Sequence, residues 1–266
     1  MAWDDAGGDF SRYSKQEIRR MVYARLREVR AAAPPFPIEG RIPNFRGAAE
    51  AARLLVGLPE WVEARIVKVN PDSPQRPVRL LALMQGKLLV MPTPRIRSGF
   101  LILDPARIPS SRYREASTIR GAFRYGRRLS TLDDVEAELD RVDFIVEGSV
   151  AVSIYGDRIG KGEGYGDLEY AILRELGVVD ENTPIATTVH PVQVFRTRLP
   201  QDPHDVPVDY IVTPPSRGHR TSNMPSGVIR AERRERPPGI LWDLLSDEKL
   251  KEIPLLRELA RRRGRL

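Results

Sequence analysis

Between Arg158 and Asp167 the chain reads RIGKGEGYGD, in which four glycines alternate with charged, hydroxyl and apolar side chains. An apolar run, DFIVEGSVAVS, leads into this stretch, and an amphipathic pattern, DLEYAILRELG, leaves it. A strand, a glycine turn and a helix start are the parts of a phosphate cradle. Glycines let backbone N–H groups close on an anion, and the helix adds the positive end of its dipole. Arg158 and Lys161 supply mobile positive charge. Asp167, at the helix start, offers the hard oxygens that magnesium takes on a bound polyphosphate. The spacing matches neither familiar phosphate motif. A P-loop requires Gly where Tyr155 stands and Ser or Thr where Gly162 follows Lys161, and the dinucleotide pattern does not accept glycines at 160, 162, 164 and 166. Alternating glycines also suit a bulge or hairpin, so spacing alone leaves both readings open.

Elements able to position this turn are legible on either side. In SKQEIRRMVYARLREVRAAAPP, Ser14 and Glu17 have capping-box spacing, and Ile18, Val22, Leu26 and Val29 share one helical face. Pro34 and Pro35 are expected to end that helix, and Lys15 and Arg19 at its head are free to meet an anion. Residues 47–58 read as a second helix, 64–70 as a strand, PVRLLALMQ as a helix, and 87–92 and 100–104 as strands. TLDDVEAELD opens with a Thr cap and an acidic first turn. A strand is expected over 144–153, a helix over 167–177 ending on Gly177, and strands in 185–190 and 208–214. Strands alternating with helices predict an α/β fold around a mainly parallel sheet. Residues 1–214 form its domain, and 215–266 read as a basic C-terminal extension: an irregular, proline-rich arm followed by a short helix.

Composition narrows the chemistry. With 266 residues, 41% of them hydrophobic, the chain can build a substantial core. The absence of cysteine excludes disulfides, thiolate metal sites and thiol nucleophiles. Histidines 190, 204 and 219 lie too far apart in sequence to suggest a metal site. No stretch nears the roughly 20 apolar residues of a membrane span, and the N-terminus lacks a secretory pattern, so a cytoplasmic protein is expected. Charged residues at 30% and 23 prolines lean towards a thermophile. The net charge of +7 is concentrated in arginines of the last forty residues or so, which could touch nucleic acid but read better as a solvated helix end.

These residues resemble the 5-formyltetrahydrofolate cyclo-ligases, whose loop has the form R-L-G-x-G-x-G-Y-Y-D. Arg158, Gly160, Gly162, Gly164, Tyr165 and Asp167 match it. Lys15, Ile18 and Arg19 resemble the family's K-x-x-L-R block. Gln193, Leu199, Pro200, His204, Asp205, Pro207 and Asp209 resemble its closing block, and GKLLVMPTPR its GK-strand-Pro segment. The segments RIPNFRGAAEAA, VKVNPDSPQRPVR and GEGYGDLEYA are similar to the branch called methenyltetrahydrofolate synthetase domain-containing proteins.

The resemblance implies a three-layer α/β/α sandwich with a Rossmann-like sheet, and ATP-dependent conversion of 5-formyltetrahydrofolate to 5,10-methenyltetrahydrofolate. It implies that Lys15, Arg19, Arg158, Gly160, Lys161, Gly162, Gly164, Tyr165 and Gly166 bind ATP, and that Asp167 and Asp205 hold Mg2+. Lys161 and Tyr165 would act at the formyl group and, with Gln75, contact the reduced folate or related pterin. The chain departs from the pattern at two points. Gly166 replaces a second Tyr, and Gln75 stands near the family's pterin-reading Glu, a role that Asp72 could take over. These departures motivate an alternative, a catalytically divergent nucleotide- or RNA-binding protein on the same fold. A third reading is an enzyme acting on a different substrate.

Overall fold

A computed structural model describes residues 10–215, 226–232 and 234–266. The acidic N-terminus, His219 and residues 216–225 and 233 of the proline-rich arm lie outside the described residues.

Helix α1 (Lys15–Glu28) begins as its sequence dictates. Ser14 Oγ accepts from the Glu17 N–H, and the Glu17 carboxylate accepts from Ser14 N–H at 2.8 Å. Ile18, Val22 and Leu26 are buried, whereas Val29 is exposed because the helix has already ended. Termination precedes the prolines. Arg30 adopts a left-handed conformation, and Ala31 N–H returns to Leu26 O. A short ladder of β1 (Ala32–Ala33) and β2 (Asn44–Phe45) follows, then α2 (Ala48–Leu55) and α3 (Pro59–Glu63).

The core is laid down next: β3 (Ile66–Val69), α4 (Arg76–Met84), β4 (Leu88–Pro92) and β5 (Phe100–Leu103). Helices α5 (Tyr113–Ala116) and α6 (Ile119–Tyr125), strand β6 (Arg127–Leu129) and helix α7 (Leu132–Glu138) lead to β7 (Phe144–Glu147). The strand expected over 144–153 is broken after Glu147. The chain leaves the sheet there, and β8 (Ala151–Ser153) pairs instead with β9 (Arg158–Ile159) and, further on, β11 (Val194–Phe195). Between them lie α8 (Tyr165–Glu175) and β10 (Ile185–Thr188), and β12 (Tyr210–Val212), β13 (Val228–Arg230), α9 (Asp247–Glu252) and α10 (Pro254–Arg262) complete the chain.

Eight strands form the central sheet in the order β13-β12-β10-β7-β3-β4-β5-β6. β12, β10, β7, β3 and β4 are parallel, and β13, β5 and β6 add antiparallel flanks. Alternation assigns the two faces. Val67, Val69, Phe144 and Val146 point to a core under α2 to α6 that contains Trp61 and Leu83. Ile145, Ile185 and Ile211 point to a second core under α7, α8 and α10. The result is a mixed α/β fold with a mainly parallel sheet flanked by helices. α1 packs through Ile18, Val22 and Leu26 on the small sheet, against Ala151, Ile159 and Phe195.

The described part of 226–266 is integrated into these layers. β13 extends the central sheet, and Ile253, Leu255, Leu256 and Leu259 join the α8-side core. Several of its arginines are internally paired: Arg236 with Asp209, Arg262 with Asp133 and Glu136, and Arg263 with Glu175. No helix among the described residues is long and apolar enough to cross a membrane.

Candidate active site at the glycine-rich loop

In the central sheet the winding direction reverses between β3 and β7. Parallel sheets open a crevice beyond the carboxyl ends of strands at such a point. Asn70 and Asp72 follow β3 into that crevice, Gly148 follows β7, and the glycine-rich loop with the start of α8 stands over it. Gly162 and Gly164 take left-handed conformations (φ +104° and +70°), which only glycine adopts cheaply. Gly164 is the N-cap of α8 and offers no capping side chain, so no cap competes with a ligand for the first N–H groups of that helix.

The structure assembles the three predicted blocks around this loop. Arg19 Nε donates to Gly160 O at 2.7 Å, and its guanidinium lies 3.2 Å from where a Cβ on Gly162 would stand. Lys15 Nζ bonds Asp202 at 2.6 Å and also Asp205. Arg158 departs from its expected role. It is buried rather than mobile, ion-paired to Asp167, and donates to Val206 O and Gly148 O at 3.2 Å each. Asp167 Oδ1 also accepts from Val206 N–H at 3.0 Å, so this pair ties the head of α8 to the 201–206 segment.

Two cavities share the loop as their common wall. One, of about 310 Å³, holds Lys15, Arg19, Asp167, Asp202 and Asp205, together with an apolar side. The other, of about 500 Å³, lies over the crevice and is lined by Asn70, Asp72, Lys161, Tyr165 and Glu169 among others. Gly160, Glu163, Gly164 and Asp167 border both. The first combines cations, hard carboxylate oxygens and uncapped N–H groups, which suits a metal-bound polyphosphate. The second offers carboxylates to a donor-rich ligand.

Beneath the second cavity is a buried polar cluster that the sequence reading missed. Lys68 Nζ donates to Glu147 at 2.5 Å, to Glu169 at 2.6 Å and to Asn70 Oδ1 at 2.6 Å. Asn70 Nδ2 closes the network on Glu147 Oε2 at 2.8 Å. Burial pushes the Glu169 carboxyl up, although Lys68 opposes it. The Lys68 ammonium loses to burial but is held charged above its ordinary range by Glu147 and Glu169. The signal was present as polar residues in otherwise apolar strands: VKVN in β3 and FIVE in β7.

Other predicted residues fall in different places. Gln75 lines neither cavity. It is buried, Nε2 donates to Thr188 Oγ1 at 3.2 Å, and Oε1 has no hydrogen-bond partner. Asp72 does line the second cavity, and burial raises its carboxyl above the ordinary range against the pull of Lys161 and Arg79. Lys161 reaches Glu163 at 2.9 Å. The Tyr165 hydroxyl donates to Glu252 of α9, and burial and that carboxylate push it up to about 12, so it remains a neutral donor. His190 is pushed down to about 4 by burial and caps a local turn. Despite the distance between histidines in sequence, His204 joins Asp202 and Asp205 in a group whose ligand atoms lie within 4.8 Å of one another.

Comparison with known proteins locates this architecture. The sequence profile of the 5-formyltetrahydrofolate cyclo-ligase family matches residues 11–214. The methenyltetrahydrofolate synthase domain-containing protein of Mus musculus is 42% identical over 253 residues, covering 94% of this chain and 64% of the relative. The Homo sapiens protein of the same name is 39% identical over 257 residues, covering 94% and 62%. The chain thus spans about three fifths of these relatives' length. Among solved structures, the 5,10-methenyltetrahydrofolate synthetase of Aquifex aeolicus aligns with 78% of this chain and 98% of its own, at 23% identity and a TM-score of 0.45.

Proposed function

The chain belongs to the 5-formyltetrahydrofolate cyclo-ligase family, and from that membership we propose that it is an ATP- and magnesium-dependent ligase converting 5-formyltetrahydrofolate, or a related reduced pterin, to the 5,10-methenyl product. The observation that carries this reading is the pair of cavities meeting at one glycine-rich wall. A phosphoryl donor in the first and a formyl acceptor in the second would face each other across Gly160 to Asp167.

The formyl oxygen attacks the γ-phosphorus of ATP, and ADP leaves with the electrons of the broken P–O bond. N10 then attacks the activated formyl carbon and loses its proton, and the C–O bond breaks to release phosphate. Such chemistry needs positioning and charge neutralisation more than acid–base groups. Lys15, Arg19 and the N–H groups of the loop hold the triphosphate. Asp167 and Asp205 both line the first cavity and offer hard oxygens that would hold magnesium on the phosphates. Asp205 would do so on giving up Lys15, and Asp167 through the oxygen not bonded to Arg158 and Val206. When bound, that ion neutralises phosphate charge. Lys161 and Tyr165 line the second cavity, where the ammonium meets the formyl oxygen and the phenol, its proton committed to Glu252, can accept from the pterin edge. Asp72, rather than Gln75, is the carboxylate within reach of ring N–H groups.

The direct test follows the near-ultraviolet absorbance of the methenyl product from 5-formyltetrahydrofolate, with and without ATP and magnesium. ATP-dependent product is expected and should vanish in Asp167→Ala. ATP binding without product would instead favour a divergent nucleotide-binding protein, a reading motivated by the placement of Gln75 outside both cavities.

A further inference from the structure

The first cavity has two unlike walls. One carries Lys15, Arg19, Asp202, Asp205 and the uncapped start of α8. The other is apolar and comes from residues 239–249, beyond the segment that matches the family profile. Ile240, Leu241, Leu244 and Leu245 line it, and Leu244 is 59% exposed at its edge. Two anchors fix this wall to the catalytic loop's own helix. Ile240 N–H donates to Glu175 Oε1 at 3.1 Å near the end of α8. At its head, Tyr165 bonds Glu252, and Lys249 Nζ sits 3.3 Å from the Tyr165 ring centroid. Arg97 reinforces the second anchor by donating to Glu252 at 3.0 and 2.8 Å.

Ile240, Leu241, Leu244 and Leu245 form a contiguous apolar wall opposite the charged one, and an apolar groove wall rimmed by polar groups marks a ligand site rather than ordinary surface. A nucleoside triphosphate has that amphipathic form: anionic at one end, a planar base at the other. We infer that residues 239–249 are the base-binding wall of the nucleotide site, with Leu241 and Leu244 packing on the base while Lys15, Arg19 and the loop hold the phosphates. This inference rests on the reading of the first cavity as an ATP site. It adds that the C-terminal segment, absent from the family profile, completes that site, with Lys249 next to the phosphate-binding helix start.

The experiment measures binding of ATP and of inorganic tripolyphosphate to the full chain by calorimetry, in wild type and in Leu244→Ser and Leu241→Ser. Wild type is expected to prefer ATP to tripolyphosphate. Each substitution should weaken ATP about tenfold, as loss of one apolar contact of this size implies, and leave tripolyphosphate unchanged. Retained tripolyphosphate binding shows that the phosphate wall, and hence the fold around it, is intact in the variants. Wild type that binds ATP, with both variants binding it equally well, would overturn the base-wall inference alone. Wild type that does not bind ATP would overturn the ATP reading and this inference with it.

Discussion

A Cβ placed on Gly166 would stand 2.8 Å from Glu147 Oε2, closer than real side-chain contacts come. That oxygen is not free to retreat, because Asn70 Nδ2 holds it at 2.8 Å in the buried network around Lys68. The family's second Tyr is therefore excluded here by the ion cluster under α8. The departure at Gly166 and the unusual charges of β3 and β7 are one feature.

Gly166→Ala should accordingly destabilise the protein, although alanine is the better helix former. The helical gain of about 1 kcal/mol is outweighed by overpacking of roughly 1–3 kcal/mol against a locked carboxylate. Urea unfolding of the two proteins checks this, and an alanine variant as stable as wild type or more so would show that Glu147 yields freely.

The Lys68 ammonium is the only cation hydrogen-bonded to Glu147 and Glu169 among the described residues. Lys68→Met keeps the stem and removes the charge, leaving two buried carboxylates without their counter-ion. A loss of about 3–5 kcal/mol is expected, the usual consequence of breaking one side of a buried ion pair. Denaturant midpoints give the value. A change within about 0.5 kcal/mol, the range of an ordinary surface substitution, would mean that the carboxylates are already neutral.

How far the sequence reveals this site depends on the range of each interaction. The cap at Ser14, the apolar face of α1 from Ile18 to Leu26 and the helix that follows the glycine loop are local patterns, legible because the same residues that encode them also form them. Burial of Arg158 by Val206 O, Gly148 O and Asp167 joins segments up to 48 residues apart in sequence. Nothing near Arg158 in the sequence distinguishes a mobile cation from a structural one. Gln75 shows the same limit: the family resemblance implies a ligand-reading side chain there, yet a 3-10 turn directs it inward to Thr188. The break after Glu147 was hidden because both β7 and β8 are apolar, and only pairing decides to which sheet each belongs.

Glu169 gives the network a pH signature. Burial raises its carboxyl from 4.5 to about 7 in the folded protein. The native state then holds this proton more tightly than the unfolded chain does. The resulting stability is full below about 4.5 and is lost as pH rises through about 7. Glu169→Gln, shaped like the protonated acid, removes this dependence. Wild-type stability minus that of the variant should fall between those two pH values and level off above them. Urea midpoints across the range provide the comparison, and parallel curves for the two proteins would refute a proton held at Glu169.

Lys15 links the head of α1 to the first cavity, and its ammonium is bonded to Asp202 and Asp205. Those contacts hold the Asp202 carboxyl below its ordinary range through the Lys15 hydrogen bond. If Lys15 passes to the phosphates as magnesium takes Asp205, then Lys15→Met has two opposite effects. It removes a charge-assisted hydrogen bond of roughly 1.5–3 kcal/mol from bound ATP, which raises KM for ATP at least about tenfold with a smaller change in kcat. It also unmasks the Asp202–His204–Asp205 group, whose ligand atoms lie within 4.8 Å of each other, so a divalent cation should bind the nucleotide-free variant more tightly than wild type. Steady-state kinetics at saturating folate and calorimetric titration with magnesium alone read the two effects. An unchanged KM together with unchanged magnesium binding would leave Lys15 as a structural tie between α1 and the 202–205 turn.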